Sequence, residues 1–232
     1  MYVTEKLKLM VKINMKRIAI GNTAEIYEYG EKRICKLFYS GYPSAFVQHE
    51  LRNAIMAEKL GIRTPKAYKI IIDNGREGIV YDRIEGKELY RKLSGENNTS
   101  LGLWMNKFAE FHKRLLQYKV KDVMSYKDFL KKFVTDKETI EKIDLLADDN
   151  CFLHGDFHLG NVMVDEADHL VVIDLMNVCK GPAVYDVART YFLLGYDSNI
   201  QNEYLVRMGY SVEDIMPYLD IISAIRENER KR

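Results

Sequence analysis

The segment 151–174, which reads CFLHGDFHLGNVMVDEADHLVVID, constrains the fold of this chain more than any other part of it. Its polar octet HGDFHLGN, at 154–161, lies between two short apolar runs, and the turn-forming stretch 165–168 separates the second apolar run from a third. Short apolar runs bounded by turn residues are typical of strands. The segment therefore predicts a strand, a polar loop and then a β-hairpin from Val162 to Ile173.

The predicted hairpin brings three oxygen-bearing side chains to one place. Asp156 and Asn161 lie in the polar octet, and Asp174 follows the last apolar run directly. Because the two arms of a hairpin are antiparallel, Asp174 returns beside Asn161. Carboxylate and amide oxygens suit Mg²⁺ that is shared with substrate phosphates, and an Asp can orient or deprotonate a hydroxyl. Each residue alone is more often a turn former or a strand end, but the combination indicates a site.

The first part of the chain has the pattern of a small sheet with one helix. Three short strands are predicted within 17–39, a helix over 44–60, and two further strands at 68–72 and 78–84. We therefore predict an N-terminal domain over residues 1–85 that contains a five-stranded antiparallel sheet and one helix.

The remaining residues, 86–232, have a helical character. Apolar side chains at helical spacing predict a long amphipathic helix over 101–118, and two further helices fill most of 124–147. Helices also dominate after residue 175. The sequence thus predicts an α+β fold whose second domain is mostly helical.

Composition excludes several classes of protein. The formal net charge is only +1, from 35 basic and 34 acidic residues, which argues against a dedicated nucleic-acid binder. Three cysteines are too few for a disulfide framework or a zinc cluster. No run approaches the ~18 apolar residues of a membrane span, and the first 17 residues lack a signal-peptide pattern. We expect a cytoplasmic protein with neither nucleic-acid nor membrane partners.

Two features of the N-terminal part suggest phosphate binding. Lys36 lies within the third predicted strand, and Glu50 lies in the helix that follows. Alone, each is compatible with a solvated surface charge, but a strand Lys paired with a helix Glu can hold nucleotide phosphates. The loop Gly21-Asn22-Thr23-Ala24, between the first two strands, could also bring backbone N–H groups to phosphates, although it contains a single glycine and no P-loop motif occurs.

The order of these residues resembles the protein-kinase fold and, more closely, the aminoglycoside phosphotransferase / choline kinase-like family. The resemblance rests on H-G-D-x-H-x-x-N at 154–161, on Asp174 in an I-D segment, and on G-P-x-x-x-D-x-A at 181–188. It covers roughly residues 17–195 and implies a two-lobed kinase-like fold, in which 1–85 is the nucleotide-binding lobe and 86–232 the catalytic lobe.

For the catalytic lobe, the resemblance implies roles for five residues. Asp156 would be the catalytic base or would orient the acceptor hydroxyl, and Asn161 and Asp174 would hold Mg²⁺. His154 would brace the loop internally. Asp186 would lie in a helix and bond to the backbone of the catalytic loop.

For the N-terminal lobe, the resemblance implies that nine residues bind the nucleotide: Gly21, Asn22, Thr23, Ala24, Lys36, Glu50, Tyr81, Asp82 and Ile84. Lys36 would contact the phosphates and pair with Glu50, while the loop that begins at Gly21 would cover them. Tyr81 would take the gatekeeper position, and the backbone of Asp82 and Ile84 would meet the adenine.

The sequence also departs from the protein-kinase pattern. The phosphate loop has one glycine, Leu175-Met176 follows Asp174 in place of the D-F-G sequence, and no A-P-E segment occurs. We expect His112 to be a packed core residue and Arg189 to pair with a carboxylate within the catalytic lobe.

The function implied is Mg²⁺-dependent transfer of the γ-phosphate of ATP or GTP to a hydroxyl of a small molecule. The acceptor stays open among aminoglycoside-, choline- and sugar-like alcohols, and the oligomeric state is open. The alternatives are a protein Ser/Thr kinase, a non-catalytic kinase-like nucleotide-binding protein, and a metal-dependent hydrolase that uses His154, Asp156 and His158.

Overall fold

The computed structural model describes residues 16–94, 98–195 and 197–230, which form two compact units. The first unit contains the described residues up to 56 together with 65–83, and the second contains 57–64 and the described residues from 84 onward. Most of the N-terminal stretch on which the signal-peptide argument rests lies outside the described residues. Within these residues, no helix combines the length and the apolar character that crossing a membrane requires.

The first unit is built on an antiparallel sheet with the strand order β1-β2-β3-β5-β4. Its strands are β1 (Arg17–Ile20), β2 (Ala24–Glu28), β3 (Arg33–Phe38), β4 (Ala67–Asp73) and β5 (Arg76–Asp82). Helix α1 (Ser44–Lys59) follows β3. This confirms the predicted five-stranded sheet with one helix. The last strand ends at Asp82, two residues before its predicted end, so Ile84 lies beyond the sheet.

Strand β3 lies at the centre of the sheet, between β2 and β5. Its residues Cys35 and Leu37 are fully buried. Because side chains alternate between the two faces of a strand, Lys36 projects from the opposite face. That face is the one on which α1 supplies Glu50. The alternation therefore lets Lys36 lie between the buried residues Cys35 and Leu37 without its charge facing the same side.

The second unit is mostly helical, as predicted, and contains two small sheets, β6-β8-β9 and β10-β7. Its helices are α2 (Leu89–Leu93), α3 (Asn98–Gln117), α4 (Tyr126–Lys131), α5 (Lys137–Leu145), α6 (Ala183–Leu193), α7 (Ser198–Met208) and α8 (Val212–Arg230). Its strands are β6 (Gly86–Glu88), β7 (Cys151–Leu153), β8 (Val162–Asp165), β9 (Leu170–Val172) and β10 (Cys179–Gly181).

The predicted hairpin is confirmed. Strands β8 and β9 pair antiparallel, with Val162 opposite Val172. The Ile173 N–H then donates to the Asn161 carbonyl at 3.0 Å and closes the open end. Strands β6 and β10 were not expected from the sequence, because three residues are too few to show a strand periodicity.

Candidate active site

In the first unit, Lys36, Glu50 and Tyr81 form a hydrogen-bonded cluster. The Lys36 ammonium donates to both carboxylate oxygens of Glu50, at 2.9 Å each. The Tyr81 hydroxyl donates to Glu50 Oε1 at 2.8 Å. The Glu50 side chain is only 1% exposed and that of Lys36 is 13% exposed, so the ion pair is largely withdrawn from solvent. The buried carboxylate fixes the position of the ammonium group, since a desolvated charge depends on its partner.

The loop at 21–24 turns back on itself at the end of the sheet. The Gly21 N–H donates to the Ala24 carbonyl at 2.9 Å. Within the described part of the chain, the N–H groups of Asn22 and Thr23 donate to no acceptor. Consecutive unpaired N–H groups in a turn can receive an anion. The loop therefore offers donors of the kind that phosphate oxygens require.

Glu25 follows this loop and lies between two arginines. Arg17 Nη1 is 2.6 Å from Glu25 Oε1, and Arg76 Nη2 is 2.8 Å from Oε2. Hydrogen bonds from Arg17 and then Arg76 lower the pKa of Glu25 to about 2, against the opposing effect of burial. The carboxylate thus ties the first residues of β2 to the strands on which the two arginines lie.

The segment expected to meet the adenine is partly engaged within its own unit. The Asp82 N–H donates to the Lys66 carbonyl at 3.0 Å, and its carboxylate accepts from the Tyr68 hydroxyl at 2.7 Å. A ligand at Asp82 would therefore have to use a group other than that N–H. Ile84 belongs to the second unit.

In the second unit, the polar octet forms the loop between β7 and β8 and brings Asp156 next to Asn161. The amide Nδ2 of Asn161 donates to the Asp156 carbonyl at 2.9 Å and to its Oδ2 at 3.2 Å. Since Nδ2 points toward Asp156, Asn161 Oδ1 faces away from it. Asp174 directly follows Ile173 at the end of the hairpin. Its backbone is in a left-handed conformation, with φ 60° and ψ 69°, which Asp tolerates better than most residues.

His154 links the two carboxylate-bearing segments. Its Nδ1 accepts from the Asp156 N–H at 3.2 Å, and its Nε2 lies 3.0 Å from the Ile173 carbonyl. Because a carbonyl only accepts, Nε2 carries the proton. Burial lowers the pKa of His154, so the ring is a neutral brace between the residue before Asp174 and the backbone of Asp156.

One face of α6 fixes the backbone of the loop. Asp186 accepts from the N–H groups of His154, at 2.7 Å, and Gly155, at 2.9 Å. Three residues on, Arg189 Nε donates to the Gly155 carbonyl at 2.8 Å, and Thr190 Oγ1 donates to the Phe157 carbonyl at 2.8 Å. These i, i+3 and i+4 positions lie on one side of a helix, which makes α6 a rigid support for the loop.

Gly155 is required where it lies. Its φ is +75°, and a Cβ on this residue would meet the Asn177 carbonyl oxygen at 2.3 Å. No other residue type fits beside Asp156 without moving the backbone.

His112 holds the Asp186 carboxylate by a hydrogen bond. It is fully buried, as expected of a core histidine. Its Nε2 is 3.1 Å from Asp186 Oδ2, and its Nδ1 is 2.7 Å from the Tyr204 hydroxyl. Burial by itself would raise the pKa of Asp186, but the hydrogen bond from His112 and the backbone N–H groups lower it. The carboxylate is therefore held ionised, as the acceptor of three donors.

The Asp156 side chain, in contrast to the buried Asp186, is partly exposed, at 24%. Arg189 Nη2 is 4.0 Å from its Oδ1, and His158 Nε2 is 3.7 Å from its Oδ2. Burial would raise the pKa of Asp156, but His158 and the charge of Arg189 outweigh it and lower the pKa to about 2. Asp156 is thus an anion that a ligand can reach.

The structure adds supporting residues that sequence reasoning missed: His112, Thr190 and Tyr204. The spacing of Asp186, Arg189 and Thr190 on one helix face is the signal that could have found Thr190. The buried ring pair of His112 and Tyr204 comes from α3 and α7, which are far apart in the sequence, so no local pattern indicates it.

The solved structures that superpose on this chain include phosphotransferases and a choline kinase. An aminoglycoside phosphotransferase from Streptomyces rimosus superposes with a TM-score of 0.66 at 14% identity, over 91% of this chain and 92% of that one. Its complex with ADP and streptomycin gives 0.62 at 15% identity, over 90% and 92% of the two chains. Choline kinase from Streptococcus pneumoniae gives 0.64 at 16% identity, over 94% and 85%. These identities are low enough that they establish the fold alone, which is the expected kinase-like one.

A search of curated proteins found no match. The model of the "Phosphotransferase enzyme family", in contrast, matches residues 14–214, which is most of the chain. The match includes the polar octet, the hairpin and the supporting face of α6. By this match, the chain belongs to the phosphotransferase enzyme family.

Proposed function

We propose that this protein transfers the γ-phosphate of ATP or GTP to a hydroxyl group of a small molecule, with Mg²⁺ and with Asp156 at the acceptor. The observation that carries the proposal is the end of the β8–β9 hairpin opposite its turn, in the second unit. There the Ile173 N–H bonds to the Asn161 carbonyl, Asp174 is the next residue along the chain, and the Asn161 side-chain amide bonds to Asp156.

Two neighbours support the choice of donor and acceptor. One is an aminoglycoside phosphotransferase in complex with ADP and streptomycin, and another is a choline kinase. By analogy, this chain would use a nucleoside triphosphate and a small hydroxylated acceptor. The first unit would then be the nucleotide-binding lobe that the sequence predicts over 1–85, and the second the catalytic lobe over 86–232.

The residues at the hairpin end fit Mg²⁺ by their chemistry. The oxygen Oδ1 of Asn161 faces away from Asp156 because Nδ2 occupies the other side, and Asp174 contributes a carboxylate. Mg²⁺ usually takes one or two such protein ligands and completes its shell with water and phosphate oxygens. When bound, the ion would neutralise charge on the phosphates during transfer. Asn161 and Asp174 would hold it.

Asp156 would act on the acceptor. Its carboxylate would accept a hydrogen bond from the acceptor hydroxyl and turn the oxygen toward the γ-phosphorus. As the new O–P bond forms and the bond to the leaving nucleoside diphosphate breaks, the hydroxyl proton passes to Asp156. With a pKa of about 2, Asp156 is a weak base, so orientation is its larger contribution and proton transfer comes late.

The first unit would bind the donor. Lys36, held by Glu50, would contact the phosphates as a fixed positive charge. The unpaired N–H groups at Asn22 and Thr23 would cover the same phosphates, and the segment that contains Tyr81 and Asp82 would approach the base. The exposed oxygen atoms of a triphosphate match both kinds of donor.

The arrangement disfavours a zinc hydrolase. Both ring nitrogens of His154 are engaged, one by the Asp156 N–H and one by the Ile173 carbonyl. Nδ1 of His158 accepts from the Gly160 N–H. Within the described residues, no group of three or more His, Cys, Asp or Glu side chains could hold a metal ion. The polar octet is therefore better suited to orienting a substrate than to binding zinc.

The test is acceptor-dependent formation of nucleoside diphosphate. Purified protein is supplied with ATP or GTP, with Mg²⁺ or excess EDTA, and with a panel of aminoglycosides, choline, sugars and a Ser/Thr peptide. We expect turnover with a small alcohol that requires Mg²⁺ and is lost in Asp174→Ala. Glu166→Ala, which removes an exposed carboxylate from the same hairpin, should retain turnover.

Each alternative predicts a different outcome of this assay. Phosphorylation of the peptide alone would indicate a protein kinase, and nucleotide binding without turnover on any acceptor would indicate a non-catalytic protein. Zinc-supported hydrolysis without nucleotide binding would overturn the proposal.

A further inference from the structure

Tyr39 contacts the loop at 21–24 in two places. Its backbone N–H donates to the Thr23 carbonyl at 3.0 Å. Its side-chain hydroxyl donates to the Gly21 carbonyl at 2.8 Å. Tyr39 directly follows β3, which carries Lys36, so one residue connects the end of that strand to both halves of the loop.

These two bonds orient two peptide groups of the loop, Gly21–Asn22 and Thr23–Ala24. In a trans peptide the carbonyl and the following N–H lie in one plane and point in opposite directions. When the Tyr39 hydroxyl holds the Gly21 carbonyl, it also directs the Asn22 N–H away from Tyr39. The bond to the Thr23 carbonyl directs the Ala24 N–H in the same manner. The Gly21 and Thr23 carbonyls therefore face Tyr39, and the Asn22 N–H is left for a ligand.

The peptide between Gly21 and Asn22 needs such a restraint. If the Gly21–Asn22 peptide rotated, the Gly21 carbonyl would replace the Asn22 N–H, and its oxygen would repel a phosphate. Gly21 itself does not prevent this rotation, since glycine is the residue with the greatest backbone freedom. The restraint must come from outside the loop, and the Tyr39 hydroxyl is placed to supply it.

We propose that Tyr39 is a positioning residue for nucleotide binding, which holds the loop with its N–H groups available to the phosphates. This inference rests on the proposed function, because it assigns the ligand of the loop as a nucleoside di- or triphosphate. Tyr39 touches the loop and need not touch the ligand.

The hydroxyl can be removed with little effect on folding. Tyr39 is 36% exposed, and the Arg76 guanidinium lies 5.8 Å from the centre of its ring. Phenylalanine keeps the ring and the backbone bond to Thr23. Tyr39→Phe therefore deletes only the hydrogen bond to Gly21.

Tyr27→Phe is the matched control. Its hydroxyl bonds to Glu25 Oε2 at 3.0 Å in the same sheet, and Glu25 keeps both arginine partners without it. Both variants lose one tyrosine hydroxyl, but only one of them loses a bond to the loop.

The experiment is calorimetric titration of each protein with Mg·ADP, together with the KM for Mg·ATP and the kcat at saturating nucleotide. One neutral hydrogen bond is worth about 0.5–1.5 kcal/mol, which corresponds to about twofold to tenfold in affinity. We expect Tyr39→Phe to weaken Mg·ADP and raise the KM by about that factor, with kcat and melting temperature nearly unchanged. Tyr27→Phe should match the wild type.

A second measurement needs no nucleotide. Hydrogen exchange in the free protein should be faster at the Gly21 amide in Tyr39→Phe than in the wild type, because the closed turn loses a restraint. Equal affinity and equal exchange in wild type and Tyr39→Phe would overturn the role of Tyr39 and leave the proposed function intact. A wild-type protein that binds neither Mg·ADP nor Mg·GDP would overturn both.

Discussion

Asp186→Asn tests whether α6 holds the catalytic loop in place. The native carboxylate accepts three hydrogen bonds, from the His154 N–H, the Gly155 N–H and His112 Nε2. An asparagine can keep its single oxygen toward His154 and His112, but its NH₂ group then faces the Gly155 N–H. Two donors are left opposed at a fully buried position.

The expected loss follows from two terms. Losing one hydrogen bond to a charged acceptor costs about 1.5–3 kcal/mol, and leaving a buried donor unsatisfied costs about 1–3 kcal/mol more. We therefore expect Asp186→Asn to lower the free energy of unfolding by about 3–5 kcal/mol. Screening by solvent does not reduce this figure, since the Asp186 side chain is 1% exposed.

Asp165→Asn provides the comparison. Asp165 also accepts two backbone N–H groups, those of Ala167 and His169, through one oxygen in the hairpin turn. Its side chain is 29% exposed, and the amide oxygen of asparagine can accept both bonds, so we expect a loss of about 1 kcal/mol or less.

Urea denaturation of both variants at neutral pH, followed by far-ultraviolet circular dichroism, measures the difference. A loss below about 1 kcal/mol in Asp186→Asn, or equal losses in the two variants, would refute the claim that the buried carboxylate anchors the loop.

Three further predictions concern the first unit. Gly21→Ala should raise the KM for Mg·ATP by about tenfold or more, because a Cβ on Gly21 adds bulk to the loop that we propose covers the phosphates. The melting temperature should not fall, because the added Cβ would lie at an ordinary 3.4 Å from the Ala24 carbonyl; a matching fall in melting temperature would contradict this. Lys36→Met should lower the free energy of unfolding by about 3 kcal/mol, since it removes the cation that neutralises the buried carboxylate of Glu50, and adding Glu50→Gln should recover most of the loss in a double-variant denaturation series. For Glu25, the pKa of about 2 in the folded protein lies below the ordinary value of 4.5, so its stabilising effect is present above pH ~4.5 and is lost as the pH falls toward ~2. The melting temperature of Glu25→Gln should therefore lie below that of the wild type at pH 7 and approach it near pH 3; a constant difference would contradict the assignment.

The sequence predicts the catalytic segment well because its signals are local. The hairpin from Val162 to Ile173 has apolar arms and a turn between them, so its closure beside Asn161 follows from strand pairing alone. The five-stranded sheet is predictable for the same reason. Strands β6 and β10, at three residues each, have no periodicity to read, and only their partners β8 and β7 determine them.

The sequence does not indicate contacts between segments that are far apart along the chain. The resemblance gives Tyr81 the gatekeeper position, but it does not indicate that the Tyr81 hydroxyl bonds to Glu50, a contact that depends on how α1 packs on the sheet. Arg189 was expected to pair with a carboxylate. Its Nη2 lies 4.0 Å from Asp156 Oδ1, which agrees with that expectation, but the hydrogen bond from its Nε to the Gly155 carbonyl is a backbone contact that the sequence does not indicate. The Tyr39 contacts with the loop likewise depend on the end of β3 lying beside it.

The central claim is that Asp156 serves transfer to the acceptor and is not needed to bind the nucleotide. Asp156→Asn, which keeps the shape of the side chain and removes its charge, separates the two. We predict that Mg·ADP binds within about threefold of the wild-type affinity, while kcat for the acceptor identified by the screen falls by about 100-fold or more. Turnover by Asp156→Asn within about tenfold of the wild type would contradict the account.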